Sequence, residues 1–251
     1  MTSKKIIITG GATRIGAAIA KKLSGLNTEL VIHFNKSYSK AKSLKKELEN
    51  LGAKIYLVKG DLSNEKDIKK IIKIAKNKLK YFDCLINNAS IFENDKLNNF
   101  DSRSWDKHLS INLKAPALLI REFSKNVKIK NNNNIINIID QRIFKLTPFF
   151  FSYTISKSSL YTLTKTSAMS LAPNIRVNGI APGPTIKNIR QSEQHFRKQY
   201  LATPLKKQVD VEEICNCIDF LIKNSSITGQ VMAIDSGQSL NWQTPDVLGK
   251  E

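Results

Sequence analysis

Short apolar runs rich in β-branched residues alternate with stretches of helical periodicity along almost the whole chain. Such runs, bounded by turn signals, are typical of strands that are buried on both faces. When helices join the strands, the chain forms βαβ units and a parallel sheet that is covered by helices. The pattern predicts an α/β fold, with a single doubly wound domain over residues 1–251. About seven strands are expected, at residues 6–9, 30–34, 55–58, 84–86, 135–139, 175–178 and 231–234.

Helices are predicted between these strands, at residues 37–51, 105–127, 152–171 and 209–222, with others ending at Lys22 and beginning after Ser63. Ser63 is the expected N-cap of its helix, because a serine hydroxyl can accept a hydrogen bond from the first turn. Gly52 follows the second helix, where the backbone is often left-handed. The asparagine run at residues 131–134 is expected to be a loop. We find no linker and no internal repeat, which supports one domain.

Composition and length fit a single α/β domain without membrane segments. Hydrophobic residues make up 41% of the 251 residues, and no apolar run approaches the ~20 residues of a membrane span. The N-terminal residues lack the apolar stretch and the cleavage site of a signal peptide. Cys84, Cys215 and Cys217 lack zinc-ligand spacing with histidine. We therefore expect no metal, and reduced thiols in a cytoplasmic protein.

The formal net charge of +19 would by itself suggest an anionic partner such as a nucleic acid. The basic residues are mostly lysines scattered over the polar faces of predicted helices, as at Lys40, Lys69 and Lys76. Asparagine and isoleucine are also abundant. The charge therefore indicates a compositional bias and a solvated surface rather than nucleic-acid recognition.

A glycine-rich turn follows the first strand, with the sequence Thr-Gly-Gly-Ala-Thr-Arg-Ile-Gly at residues 9–16. Glycines in such a turn let backbone N–H groups approach a pyrophosphate, and the N-terminus of the next helix favours the anion. The turn predicts a dinucleotide site formed by Gly10, Thr13, Arg14, Ile15 and Gly16.

The end of the second strand indicates which dinucleotide binds. A site that prefers NAD usually has an acidic residue there, which binds the ribose 2′-hydroxyl. This chain instead has Asn35, Lys36 and Ser37. A cation flanked by two neutral donors suits a 2′-phosphate, so the sequence predicts NADP(H).

Tyr153 and Lys157 are separated by one turn of a predicted helix, so their side chains share a face. A nearby ammonium favours the phenolate, and we expect Lys157 to lower the pKa of Tyr153. A phenol tuned in this way can donate a proton near neutral pH, while hydride would come from a nicotinamide ring. The pair predicts an oxidoreductase.

In this order the motifs resemble the short-chain dehydrogenase/reductase family, which has a Rossmann fold and the motifs T-G-x-x-x-G-x-G and Y-x-x-x-K. The matches run from Thr9 to Gly237. The resemblance implies a dimer or tetramer. It also implies adenine contacts for Asp61 and Leu62, cofactor ribose contacts for Asn88, Ala89 and Ser90, nicotinamide contacts for Pro182, Gly183 and Thr185, and a proton-relay water on Asn112.

Three departures from the common motifs resemble one branch of the family, the pteridine and dihydromonapterin reductases. Arg14 replaces the middle glycine, Asp140 stands where most members have a serine, and Phe92 follows Asn-Ala-Ser. Phe92 would stack on a flat heteroaromatic ring, lined also by Ser90. Arg14 would bridge the pyrophosphate and the pterin's polar edge. Asp140 would accept from an amino-pyrimidine edge or deliver a proton together with Tyr153.

The sequence leaves three functions open. The first is NADPH-dependent reduction of a dihydropterin or dihydrofolate C=N bond, with residues 187–205 as a lid over the substrate. The second is reduction of a ketone such as a 3-oxoacyl thioester or a sugar, against which Asp140 and Arg14 argue. The third is a non-catalytic protein that binds a cofactor or nucleic acid, against which the pair of Tyr153 and Lys157 argues.

Overall fold

Seven parallel strands form one sheet in the computed structural model, which describes residues 4–128 and 132–242. The strand order is β3-β2-β1-β4-β5-β6-β7, so the direction of winding reverses between β1 and β4. Ligands of such sheets bind outside the carboxyl ends of the strands near this reversal. The predicted doubly wound α/β fold is confirmed. The strands are β1 Lys4–Ile8, β2 Thr28–Phe34, β3 Lys54–Lys59, β4 Cys84–Asn87, β5 Asn133–Ile138, β6 Ile175–Pro182 and β7 Val231–Ile234.

Helices cover both faces of this sheet. They are α1 Arg14–Leu23, α2 Tyr38–Asn50, α3 Glu65–Leu79, α4 Ser102–Leu109, α5 Ala115–Ser124, α6 Phe151–Leu171, α7 Glu193–Leu201 and α8 Val211–Lys223. Residues of α1, α2 and α8 pack in one buried apolar cluster, and residues of α3, α5 and α6 pack in a second. The strands separate the two clusters, because successive side chains point to opposite faces: Ile6 and Ile8 enter the first cluster and Ile7 the second.

The single helix predicted at residues 105–127 is wrong in detail. The chain forms α4, then one π-helical turn at Ser110–Lys114, then α5. Pro116 lies at the start of α5 and supplies no backbone N–H to the preceding helical ladder. A π-helical turn changes the direction of side chains locally and is frequent at functional sites. Here the turn carries Asn112, which lies buried beside the candidate site.

Two local predictions are also wrong. Asn64, not Ser63, caps α3, and its side chain accepts from the Lys66 N–H at 2.9 Å. Ser63 instead donates to Asp61, because its N–H and hydroxyl both face that carboxylate. The asparagine run is a loop only in part, because Asn133 and Asn134 begin β5. Residue 131 lies outside the described residues.

None of the helices described in residues 4–128 and 132–242 has the length and apolarity needed to cross a bilayer. The three cysteines are free and buried.

Gly16→Ala should lower the free energy of unfolding by about 1–3 kcal/mol. The added methyl group would lie 2.3 Å from the Gly10 carbonyl oxygen and 2.6 Å from Asn88 Nδ2. Urea denaturation measures the loss. Gly25→Ala is the matched control, because its methyl group would meet nothing within 4 Å. An equal loss in both variants would show that the contact at Gly16 is not tight.

Candidate active site

The turn between β1 and α1 presents backbone N–H groups at the carboxyl edge of the sheet. Gly10 has a φ of 59°, a left-handed conformation that glycine adopts readily. Thr13 is the N-cap residue of α1, but its side chain makes no capping hydrogen bond. Ile15 packs against the core, which anchors the first turn. The N–H groups of the first turn of α1 and the positive end of its dipole are therefore available to an external anion, as the pyrophosphate prediction requires.

Two polar side chains hold this turn against the neighbouring strands. Asn88 Nδ2 donates to the carbonyl oxygens of Thr9 and Gly10, at 3.0 and 3.1 Å. His33 Nδ1 accepts from the Gly10 N–H at 3.2 Å, and its Nε2 lies 3.1 Å from the Gly60 carbonyl oxygen. Burial lowers the pKa of His33, so the imidazole is neutral and carries its proton on Nε2. Asn88 thus supports the turn, and its contact with the cofactor ribose stays a prediction.

The residues predicted to hold adenosine lie together beyond β2 and β3. Asn35 and Lys36 are exposed, and Ser37 is the N-cap residue of α2 without a side-chain cap bond. Hydrogen bonds from Ser63 lower the pKa of Asp61, and the charge of Lys36 adds a smaller effect. Leu62, by contrast, is only 5% exposed and packs in the core. This end of the site therefore combines an exposed cation with an ionised acceptor.

The predicted nicotinamide end lies after β6. Pro182 ends that strand, and the Gly183 N–H donates to the Ile234 carbonyl oxygen at 2.9 Å. A Cβ on Gly183 would lie 2.6 Å from the Asp235 Cα, so the close approach of β6 and β7 requires glycine. Thr185 is buried and donates to the Gly183 carbonyl oxygen at 3.1 Å. The uncapped start of α1, the glycine turn at Gly10 and the segment after β6 all lie at the carboxyl edge of the sheet. The chain thus fits a dinucleotide.

Tyr153 and Asp140 form the central hydrogen bond of the site. Tyr153 Oη donates to Asp140 Oδ2 at 2.8 Å. Tyr153 lies in the first turn of α6 and is 4% exposed. Asp140 follows β5, and its other carboxylate oxygen accepts from the Arg142 N–H at 2.9 Å. The aspartate at the usual serine position therefore contacts the phenol directly.

Lys157 lies one turn further along α6, on the same side as Tyr153. Its Nζ donates to the Ile138 carbonyl oxygen at 2.9 Å and lies 5.8 Å from the centroid of the Tyr153 ring. Burial lowers the pKa of Lys157 to about 8, and the negative charge of Asp140 opposes this shift. The ammonium is thus fixed between the end of β5 and the phenol.

The expectation that Lys157 lowers the pKa of Tyr153 is wrong for the free protein. Burial raises the pKa of Tyr153 well above its usual value, and the charge and hydrogen bond of Asp140 raise it further. Burial also raises the pKa of Asp140, although hydrogen bonds and nearby positive charges oppose the shift. Tyr153 therefore stays protonated in the free protein, and its hydroxyl group donates to Asp140.

Asn112 makes hydrogen bonds through its whole amide group. Its Nδ2 donates to the Ile91 carbonyl oxygen at 3.1 Å and to Ser156 Oγ at 3.0 Å. Its Oδ1 accepts from the Ile91 N–H and from Ser90 Oγ, both at 3.0 Å. These four bonds use the full capacity of the amide. The side chain thus joins the segment after β4 to α6, and the relay water on Asn112 stays a prediction.

Phe92 lies beside Tyr153, as the pterin hypothesis requires. The two ring centroids are 4.6 Å apart with a T-shaped arrangement. The ring of Phe150 stacks in parallel on Phe92, with centroids 4.2 Å apart and an interplanar angle of 2°. The Arg142 guanidinium lies 4.4 Å from the Phe150 centroid. Ala89 and Ser90 precede this segment, and the Ala89 N–H donates to the Thr9 hydroxyl at 3.1 Å.

The segment that carries Phe92 also caps α6, the helix of Tyr153 and Lys157. No local side chain caps α6. Instead, Asn94 Oδ1 accepts from the Phe150 N–H and Asp95 Oδ1 from the Ser152 N–H, both at 3.1 Å. Ser152 Oγ donates to the other oxygen of Asp95 and lies 2.8 Å from Nδ1 of the buried His108. These bonds fix the position of Phe92 relative to Tyr153.

Two arginines join the predicted lid to the site. Arg14 Nη1 and Nη2 donate to the carbonyl oxygens of Lys187 and Ile186, each at 2.9 Å. Arg190 donates to the Phe92 carbonyl oxygen. Residues 187–205 include α7, and a cavity of about 480 Å³ lies against this helix and Thr185. Arg14 thus holds the backbone at Ile186 and Lys187, and its contact with pyrophosphate and pterin stays a prediction.

Comparisons with known proteins give a consistent family. A family model described as enoyl-(acyl carrier protein) reductase matches residues 10–239. The chain belongs to the short-chain dehydrogenase/reductase family. It is 32% identical over 243 residues to the 3-oxoacyl-[acyl-carrier-protein] reductase FabG of Buchnera aphidicola, covering 94% of this chain and 98% of the relative.

Two further relatives of this short-chain dehydrogenase/reductase are reductases of pterins or folates by name. A dihydromonapterin reductase of an Enterobacter species is 26% identical over 241 residues, covering 95% of this chain and 98% of the relative. The crystal structure of the FolM alternative dihydrofolate reductase 1 of Brucella suis, in complex with NADP, is 38% identical with a TM-score of 0.93. That match covers 97% of this chain and 98% of the other. The predicted family and its oxidoreductase class are confirmed.

Sequence patterns missed most of the residues that support this oxidoreductase site. His33, Asp95, His108, Arg142 and Ser152 act through contacts with residues distant along the chain. Asp95 and Ser152, for example, are 57 positions apart, and no local motif marks either residue. Phe150 belongs to a run of three phenylalanines that is visible in the sequence, but only the fold shows which ring stacks on Phe92.

Asp140→Asn should gain stability relative to the wild type as the pH rises. The ordinary pKa of an aspartate is 3.8, and folding raises the pKa of Asp140 above it. The Asp140 carboxyl group therefore stabilises the folded protein most at a pH below 3.8, and this contribution is lost as the pH rises through the raised pKa. Chemical denaturation near pH 4 and near pH 7 measures the difference in unfolding free energy between variant and wild type. This difference should be larger, in favour of Asp140→Asn, near pH 7.

Asp61→Asn is the matched control with the opposite sign. The pKa of Asp61 is lowered, so its stabilising effect is present above the ordinary aspartate pKa and is lost as the pH falls. Asp61→Asn should therefore be relatively less stable near pH 7 than near pH 4. A pH-independent difference for Asp140→Asn would contradict the raised pKa.

Proposed function

We propose that this oxidoreductase uses NADPH to reduce a C=N bond of a dihydropterin or a dihydrofolate. The single observation that carries the proposal is the Tyr153–Asp140 hydrogen bond of 2.8 Å beside Phe92. A proton-sharing pair next to an aromatic ring suits a flat nitrogen heterocycle that must be protonated on nitrogen. The NADP-bound Brucella structure and the dihydromonapterin reductase support this choice.

The cofactor is held along the carboxyl edge of the sheet. The turn at Gly10 and the first turn of α1 bind the pyrophosphate, Lys36 with Asn35 and Ser37 binds the 2′-phosphate, and the segment at Gly183 and Thr185 binds the nicotinamide end. When bound, NADPH supplies the hydride. The adenosine contacts of Asp61 and Leu62 are part of the same proposal.

The proton comes from the pair of Tyr153 and Asp140. Tyr153 is protonated in the free protein, because burial and the charge of Asp140 raise its pKa. Its Oη donates a proton to the substrate nitrogen as the adjacent carbon receives the hydride, and the C=N double bond becomes a C–N single bond. Once Asp140 has itself taken up a proton from solvent, which its raised pKa favours, it can pass that proton to Oη across their 2.8 Å contact. Lys157 lies close enough to stabilise the negative charge on Tyr153 until that proton arrives.

A ketoreductase is the second candidate, favoured by the 32% identity to FabG over nearly the full length of both chains. The same Tyr153 and Lys157 would then protonate a carbonyl oxygen. In that function the carboxylate of Asp140 has no amino-pyrimidine edge to bind. Assembly into a homo-oligomer and a cytoplasmic location stay predictions.

NADPH absorbance followed with dihydrobiopterin, dihydrofolate and an acetoacetyl thioester tests the choice. Oxidation with either pterin compound and little with the thioester is expected. Oxidation with the thioester alone would refute pterin reduction and favour the ketoreductase. The absence of oxidation with all three, under conditions where NADPH binds, would refute both.

Tyr153→Phe and Asp140→Ser should separate proton transfer from cofactor binding. Tyr153→Phe removes the donating hydroxyl, so turnover should fall by about 10²–10⁴-fold, the usual contribution of a general acid. Asp140→Ser should lower pterin turnover far more than NADPH affinity. Steady-state kinetics and NADPH fluorescence titration measure the two effects. An equal loss of both in Asp140→Ser would remove Asp140 from the substrate site.

Lys36→Glu should shift the cofactor preference from NADPH towards NADH, because a carboxylate repels the 2′-phosphate and can accept from a 2′-hydroxyl. The measurement is the ratio of kcat/KM for the two cofactors. Lys40→Glu, an equal charge change at another exposed lysine, is the control and should leave the ratio unchanged. An unchanged ratio in Lys36→Glu would place the 2′-phosphate elsewhere.

A further inference from the structure

The stacking face of Phe92 already has an aromatic partner within the chain. The Phe150 ring lies parallel to Phe92, with an interplanar angle of 2° and centroids 4.2 Å apart. This arrangement lies within the centroid range of favourable aromatic pairs. Tyr153 also contacts Phe92, but nearly perpendicular to it, at 73°. Phe150 therefore occupies one of the two parallel stacking positions on Phe92, a position that a planar substrate ring can use.

We propose that Phe150 is a specificity-determining residue, which covers Phe92 in the free enzyme and is displaced by the planar ring of the substrate. The proposal rests on the proposed function, in which a flat heterocycle stacks on Phe92 within reach of Tyr153. Phe150 and that heterocycle then compete for one surface. A planar ligand displaces Phe150 and then stacks on Phe92 in its place. An aliphatic chain that displaces Phe150 cannot replace the lost stacking.

The position of Phe150 in the fold suits a ring that changes partners. Phe150 directly precedes α6, and its backbone is left-handed, with φ 57° and ψ 45°. A residue with a Cβ is uncommon there and costs free energy that the surroundings must offset. Its backbone is held by the hydrogen bond from its N–H to Asn94 Oδ1 and by the Thr154 N–H, which donates to its carbonyl oxygen at 2.8 Å. Its ring contacts Phe92 and the Arg142 guanidinium, so losing the stack removes a main constraint on the side chain.

Displacement also leaves the catalytic machinery in place. The Asp95 bonds to Ser152 and the Tyr153–Asp140 bond do not involve the Phe150 ring. The ring can therefore leave Phe92 while Tyr153 keeps its position.

Equilibrium binding of folate, an oxidised pterin derivative, to the enzyme saturated with NADP⁺ tests the proposal. Phe150→Ala should tighten folate binding by roughly two- to tenfold, because the ligand no longer competes with an internal aromatic stack. Phe92→Ala should weaken binding. In a Phe92→Ala background, Phe150→Ala should have no further effect, because the stack that it removes is already absent.

Phe149→Ala is the matched control. Phe149 is 46% exposed and contacts Lys96, so its loss should not change folate affinity. If the alanine variant is unstable, Phe150→Leu also removes the aromatic stack on Phe92 but keeps an apolar side chain. Phe150→Leu should likewise tighten folate binding. NADP⁺ affinity should be unchanged in every Phe150 variant.

Weaker or unchanged folate binding in the Phe150 variants, with normal binding by the wild type, would overturn the displacement and leave the proposed function intact. Weaker binding would mean that Phe150 forms a fixed wall of the substrate site. No folate binding by the wild type or by the Phe150 variants, with normal NADP⁺ affinity, would overturn both proposals.

Discussion

The hydrogen bond between Tyr153 and Asp140 joins the end of β5 to the start of α6, the next helix along the chain. Asp140 follows β5, and Tyr153 lies in the first turn of α6. The bond is strong enough to matter only because both groups are withdrawn from water, and this burial raises the pKa of each. A serine hydroxyl at position 140 would give a neutral pair without a second titrating proton. The aspartate therefore changes the proton chemistry of the site rather than only its shape.

Hydrogen bonds from neighbouring segments fix the position of the Tyr153–Asp140 bond. The segment after β4 caps α6 through Asn94 and Asp95, and Asn112 ties the same segment to Ser156. The cofactor turn is fixed separately, through Asn88 and His33. Because these supports meet at the carboxyl ends of neighbouring strands, a dinucleotide and a proton donor can face the same space. The segment at residues 187–205, the predicted lid, joins both parts, since Arg14 contacts its backbone and Arg190 contacts the Phe92 carbonyl oxygen.

The sheet and the shared helix face of Tyr153 and Lys157 could be predicted from the sequence because both depend on local patterns. Apolar runs mark strands buried on both faces, and the spacing of Tyr153 and Lys157 is a property of one helix. The π-helical turn around Asn112 was not predictable, because it depends on how α4 and α5 pack against α6. The raised pKa of Tyr153 was also missed, since it comes from burial and from Asp140 rather than from the lysine next in the motif. Contacts such as Asp95 with Ser152, or Phe150 with Phe92, need the folded chain.

The most direct test of the central claim is a crystal structure of the complex with NADP⁺ and an oxidised pterin. The expected result places the pterin ring between Phe92 and the nicotinamide, with a ring nitrogen within hydrogen-bond distance of Tyr153 Oη and Asp140 in contact with the pterin or with that hydroxyl. A pterin bound away from Tyr153, or a dinucleotide bound away from the turn at Gly10, would contradict the claim that these residues reduce a flat heterocycle.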